Sequence, residues 1–148
     1  MSLKEQLTTD MKEAMKNKEK ERLAVIRMVR GAIRQQEIDG QKELGEEDVI
    51  AVISKEVKMR KDSIEEFQKG GRQDLVDKTQ AEIDVLMKYL PAQLSEDEVK
   101  ALVKEAVEKT GAKTQKDMGK VMGALMPKVK GRADGKMVNQ LVRSMLVG

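Results

Sequence analysis

Apolar side chains return every three or four positions along almost the whole chain, and glycines interrupt the pattern at 40, 70, 71, 111 and 131. Residues spaced in this way share one face of a helix, so each uninterrupted stretch carries a single apolar stripe. A glycine just past such a stripe is a usual helix stop, because it takes the left-handed backbone that closes a helical C-terminus. Seven helices are expected. With one Phe, one Tyr and eleven Met, the core must be built from methionine and aliphatic residues, which suits helices better than strands. A chain of 148 residues can bury one core, or one core plus a small satellite domain.

The expected fold class is therefore all-α, with an N-terminal helical domain over 1–90, a linker at 91–94 and a small three-helix C-terminal domain over 95–148. The first helix starts from Ser2, whose hydroxyl can cap backbone amides while Glu5 returns the bond. Leu23, Ile26, Val29 and Ile33 mark the second. The third, from about Glu46, carries Val49, Ile50, Ile53, Val57, Ile64 and Phe67, and the fourth carries Leu75, Val76, Ile83, Leu86, Met87 and Leu90. Joined by two glycines, these two predict a long antiparallel hairpin. Pro91 then breaks the pattern, because proline disfavours helix at the residue before it and cannot donate the next helical hydrogen bond. Ser95 and Glu98 form a capping box for helix five. Helix six is expected over about Thr114 to Pro127, and helix seven from Asp134 as N-cap.

No cysteine or histidine occurs, which excludes disulfides, thiolate nucleophiles, Cys/His zinc sites and imidazole acid-base chemistry. No phosphate-binding Gly-x-x-x-x-Gly-Lys-Ser/Thr loop or dinucleotide fingerprint is present either. No catalytic residue, metal site or cofactor is assigned. Charges within the first five residues and the lack of an apolar run behind them argue against a secretory segment or membrane span, so a cytoplasmic location is expected.

Residues 1–110 carry 21 basic and 24 acidic side chains, a balance of −3, whereas residues 111–148 carry 8 and 2, a balance of +6. Such asymmetry points to an anionic partner at the C-terminal end. Gly119 and Gly123 lie four apart on one helical face, flanked by Lys116 and Lys120. Close packing against a neighbouring helix is the favoured reading of that face, and close approach of a sugar-phosphate backbone is the alternative. Lys128, Lys130, Arg132 and Lys136 surround a turn and a helix N-terminus, where free amides and the dipole favour anions, although Asp134 should take part of that amide set. Arg143 is placed with them. Arg27, Arg30 and Arg34 form a second basic stripe, for which ion pairs with the carboxylates of helices three and four are the expected use.

Three stretches taken together carry a resemblance: Arg22-Leu-Ala-Val-Ile-Arg-Met-Val-Arg30 with Glu37-Ile38, Tyr89-Leu90-Pro91 leading into Ser95-Glu-Asp-Glu98, and Asp117-Met-Gly-Lys-Val-Met122 with Gly131-Arg-Ala-Asp-Gly-Lys136. The chain resembles the YqeY family of small bacterial proteins. From about Ser95 onward it is also similar to the C-terminal tail domain of GatB, the B subunit of the glutamine-dependent aspartyl/glutamyl-tRNA amidotransferase. That resemblance implies two helical domains and a tRNA-related role for Lys116, Lys120, Lys128, Lys130, Arg132, Lys136 and Arg143. It carries over no catalysis, since the amidotransferase's reaction centres lie outside the tail.

The leading expectation is a non-catalytic module that binds structured RNA, tRNA foremost, through its C-terminal domain. With only two aromatic residues, recognition would use shape and phosphate contacts rather than base stacking. The alternatives are a protein-interaction partner of an amidotransferase or synthetase, docking through the acidic hairpin, and a tRNA-dependent amidotransferase in its own right.

Overall fold

The computed structural model describes residues 1–146, so the last two positions of the expected C-terminal domain lie outside the described residues. Seven α-helices follow one another, with no strand among the described residues. They are α1 (Leu3–Lys16), α2 (Lys20–Gly40), α3 (Glu46–Lys69), α4 (Gln73–Met87), α5 (Glu96–Thr110), α6 (Met118–Val129) and α7 (Gly135–Met145), with a 3-10 turn at Gln115–Asp117. The all-α expectation holds. The chain divides into two compact units, Met1–Leu90 and Pro91–Gly148.

In the first unit, α3 and α4 form the antiparallel hairpin that the paired glycines predict. Gly71 has φ +69°, the left-handed backbone that lets Arg72 donate its N–H to the Phe67 carbonyl at 2.9 Å and close α3. The apolar stripes of α1 to α4 meet in one core, in which Leu7, Ile26, Ile53 and Leu86 are fully buried. Each such side chain contributes roughly 1.5–3 kcal/mol by leaving water. Tyr89 is buried at the end of this core and donates its hydroxyl to Asp10 Oδ2 at 2.6 Å, which ties the residues after α4 back to α1. Burial, with the Asp10 hydrogen bond second, pushes the tyrosine hydroxyl well above its ordinary range.

Ser2 caps α1 as expected, its Oγ accepting the Glu5 N–H at 3.2 Å, but the reciprocal bond from the Glu5 side chain is not formed among the described residues. Helix α2 ends one residue later than the glycine pattern implies. Gly40 is its last helical residue, and Gln41 takes the left-handed conformation with φ 52°.

The expected ion pairs of Arg27, Arg30 and Arg34 with α3 and α4 are not formed among the described residues. Their place is taken by Arg60, which sits on α3 itself, four residues from Glu56, and reaches Glu56 at 2.7 Å and Glu82 of α4 at 3.2 Å. The three α2 arginines face α1 instead, and Arg30 Nη1 lies 2.8 Å from Met11 Sδ.

The second unit has its own core, in which Val99, Val103, Val121, Leu125, Val138 and Val142 are fully buried. Both bonds of the capping box start α5: Glu98 N–H donates to Ser95 Oγ at 3.1 Å, and Ser95 N–H donates to Glu98 Oε1 at 3.2 Å. Residues 91–94 are fastened to the turn between α6 and α7. Leu94 N–H donates to the Arg132 carbonyl at 2.7 Å, Gln93 Nε2 to the Gly131 carbonyl at 2.9 Å, and Arg132 Nε to the Ala92 carbonyl at 3.2 Å.

Candidate nucleic-acid interface

Helix six differs from the expected single span, and the difference sets the geometry of the candidate face. Asp117 reaches back with Oδ2 to the N–H groups of Lys113 at 3.0 Å and Thr114 at 3.4 Å, which tightens Gln115–Asp117 into a 3-10 turn before α6 begins at Met118. Those two backbone bonds, Lys113 first, hold the Asp117 carboxyl below the usual carboxylate range. At its other end α6 continues past Pro127 to Val129.

Val121, Leu125 and Val129 turn into the core, which leaves the opposite side of α6 to solvent. Gly119 and Gly123 lie on that outward side, and a Cβ built on either would meet no heavy atom within 4 Å. Close helix packing, the favoured explanation of these glycines, is thereby overturned: no neighbouring helix approaches them among the described residues. Pro127, four positions beyond Gly123, has no N–H to return to the Gly123 carbonyl, so that acceptor lacks its ordinary helical donor. Lys116 and Lys120 are exposed beside the glycines. Lys120, itself largely exposed, has only a loose contact at 4.0 Å with the half-buried Asp117.

The remaining candidates fall in three other places. Lys130 stands exposed at the C-cap of α6. Lys136 and Arg143, seven residues apart, share the outward face of α7, while Asp134 Oδ1 accepts the Lys136 N–H at 3.1 Å and caps that helix. Lys128 points around the side of α6 toward α5, where its ammonium lies 3.1 Å from Glu105. Arg132 donates its Nε–H to the Ala92 carbonyl at 3.2 Å, which ties it to residues 91–94. Lys116, Gly119, Lys120 and Gly123 are thus brought onto one open face. Lys136 and Arg143 line a second helix, and Lys128 and Arg132 are engaged within the unit itself. Periodicity shows which side of α6 faces out, but not that Arg132 closes the turn onto residues 91–94.

Among the described residues there is no cluster of acidic side chains able to hold a metal ion and no helix long and apolar enough to cross a membrane.

The chain is similar to several fungal proteins named "Altered inheritance of mitochondria protein 41, mitochondrial". It is 43% identical over 85 residues to that of Lachancea thermotolerans, covering 57% of this chain and 46% of the relative. It is 36% identical over 105 residues to that of Pyrenophora tritici-repentis, covering 69% and 58%. With that of Saccharomyces cerevisiae strain YJM789 it shares 39% identity over 85 residues, or 57% and 46%. The matches span about half the length of these relatives, whose names place them in mitochondria. The YqeY family model, described as "Yqey-like protein", matches residues 4–146. The motifs around Arg22, Pro91 and Gly131 therefore meant what they resembled, and the chain belongs to the YqeY family.

Proposed function

We propose that the protein is a non-catalytic binder of structured RNA, tRNA foremost, that holds the phosphate backbone on the outward faces of α6 and α7. One observation carries this reading: two glycines in α6 lie on an open, lysine-flanked face where the fold itself has no use for them. Gly123 costs the helix about 1 kcal/mol relative to alanine, and a backbone that must come close to a bulky partner explains that cost. The Gly123 carbonyl offers an acceptor to a ribose 2′-hydroxyl, the group that distinguishes RNA from DNA. The resemblance read from the sequence from about Ser95 onward, to the tail domain of the tRNA amidotransferase B subunit, supports the same proposal. The cytoplasm is the proposed compartment, and fractionation of cells expressing the natural gene tests it.

Filter binding with total tRNA across a salt series tests the reading. If four to six phosphates are neutralised, log affinity should fall against log salt with a slope of about −3 to −5. Changing Lys116, Lys120, Lys130 and Lys136 together to Glu should abolish binding. Arg132 is left intact in that variant because its loss would free residues 91–94. Binding that survives the four reversals removes the proposed surface.

A protein partner, an amidotransferase or synthetase, docking on the exposed carboxylates Asp62, Glu65, Glu66, Asp77 and Asp84 of the α3–α4 hairpin is the competing reading. Co-purification separates the two. A protein retained after nuclease treatment favours docking, and recovery of RNA alone favours the RNA reading.

A further inference from the structure

The six arginines of the first unit fall into two sets. Arg22, Arg60 and Arg72 each lie within 4.0 Å of at least one carboxylate. Arg27, Arg30 and Arg34 have no carboxylate within that distance among the described residues, and all three line one groove of about 440 Å³ between α1 and α2. The sorting is not a matter of supply, since the same unit holds more acidic than basic groups. Half-buried Arg30 has only a thioether, Met11 Sδ, as partner for its guanidinium among the described residues. A thioether is a weak acceptor, and a guanidinium has five N–H donors to satisfy.

The groove floor is built for close approach. Gly31 sits in the middle of α2 between the arginines, and a Cβ there would meet nothing within 4 Å. Packing does not require this glycine, although its cost to the helix is the same as that of any interior glycine. Lys4 also lines the groove, paired with Glu37, whose carboxyl is held below its usual range by Lys4 first and by the Leu44 N–H second. Four cations against this one carboxylate leave three positive charges around the opening.

We propose that this groove is a phosphate-binding site, taking a phosphate or diphosphate group from a small ester or from a nucleic-acid backbone. The planar forks of Arg27, Arg30 and Arg34 suit the oxygens of a phosphate, and three surplus charges match a polyanion better than a single carboxylate. The volume lies within the roughly 300–1,000 Å³ of small-molecule pockets, which leaves room for the ester group. The site rests on residues other than those of the RNA surface, so either can fail without the other.

Isothermal titration of the full chain with inorganic pyrophosphate tests the site, with citrate as a carboxylate control and a short RNA hairpin as the polymer arm. Pyrophosphate should bind more tightly than citrate, and its affinity should fall at least tenfold in Arg30→Gln and in Gly31→Leu. The second change alters no charge and adds bulk only where space is open. Lys104→Gln, an equal loss of charge on α5, should leave binding as it was, and circular dichroism checks that each variant is helical. If only the RNA hairpin binds, and Arg30→Gln and Gly31→Leu weaken it, the phosphate is a backbone phosphate. No binding of either probe, citrate bound as tightly as pyrophosphate, or equal losses in Lys104→Gln and Arg30→Gln would overturn the assignment.

Discussion

Replacing Gly123 with alanine separates a glycine kept for the fold from one kept for a partner. Gly123 lies in the interior of α6, its φ is not left-handed, and a Cβ there meets no heavy atom within 4 Å. Nothing has to move to accept the methyl group, so the helix-propensity difference of about 0.8–1.0 kcal/mol should appear as added stability. Gly119 is the second residue of α6, where propensity counts for less, so the double alanine variant should gain about 1–1.5 kcal/mol in all. Urea unfolding followed by circular dichroism reads this as a rise in midpoint of roughly 0.3–1.5 M at unchanged slope. Gly123→Leu should fold by the same open space, yet carry a branched side chain where a phosphate backbone must approach. Its affinity for tRNA should fall at least tenfold, or about 1.4 kcal/mol. Destabilisation by Gly123→Ala of about 1 kcal/mol or more would refute the reasoning, because α6 would then be packed on that face. So would unchanged tRNA binding in Gly123→Leu.

Tyr89→Phe deletes the donor to Asp10 from a residue that is 6% exposed, and should cost about 1–2 kcal/mol in urea unfolding, with the Asp10 carboxylate partly rehydrated. Leu125→Ala, at a fully buried position of the second core, should cost about 2–5 kcal/mol and broaden the amide signals of α5 to α7 before those of α1 to α4. Glu98 is held below its usual range by the Ser95 N–H and then the Ser95 hydroxyl, and Asp117 by the Lys113 and Thr114 N–H groups. A carboxyl depressed in the folded state stabilises fully above its unfolded pKa, and that contribution is lost as pH falls through the folded value. The urea midpoint should therefore be flat from pH 7 to about 5 and decline below about 4, and Asp117→Asn should flatten that acid decline.

Local chemistry was readable from the sequence wherever cause and effect lie within a few residues. Ser95 and Glu98 specify both bonds of their capping box, Asp134 caps α7, and Gly71 and Gly111 take the left-handed backbone at their helix ends. The apolar stripes of α2 and α3 also name most of the residues that become buried, Ile26, Val29, Ile33, Val49, Ile53 and Val57, but they miss Val25 and Val52. What periodicity lacks is the identity of the facing element. Arg27, Arg30 and Arg34 lie on a stripe visible in the sequence, but the stripe faces α1, and it is Arg60 that pairs with Glu56 of α3 and Glu82 of α4. The same lack misdirects the reading of Gly119 and Gly123, since the four-residue spacing that serves a packed interface also serves an exposed one. Arg132 is the clearest case. Its donation to the Ala92 carbonyl spans 40 positions, and no local pattern encodes it.

The salt dependence of tRNA binding can separate the C-terminal cations from the arginine groove. Each phosphate neutralised on a duplex contributes about 0.9 to the slope of log affinity against log salt. Lys130 has no carboxylate within 4.0 Å among the described residues, so nothing inside the unit competes for its charge. Lys130→Gln should therefore flatten the slope by close to one phosphate's share. Lys128→Gln should flatten it by less, because Glu105 already shares that charge at 3.1 Å. Changing Arg27, Arg30 and Arg34 together to Gln should leave the slope untouched if the groove holds a small phosphate ester. If it holds the RNA backbone, the same variant should flatten the slope by about 2–3. A slope indifferent to Lys130 and to all three arginines would mean that the released counterions come from another part of the chain: the C-terminal surface would fall, and the groove would keep only its small-ester reading.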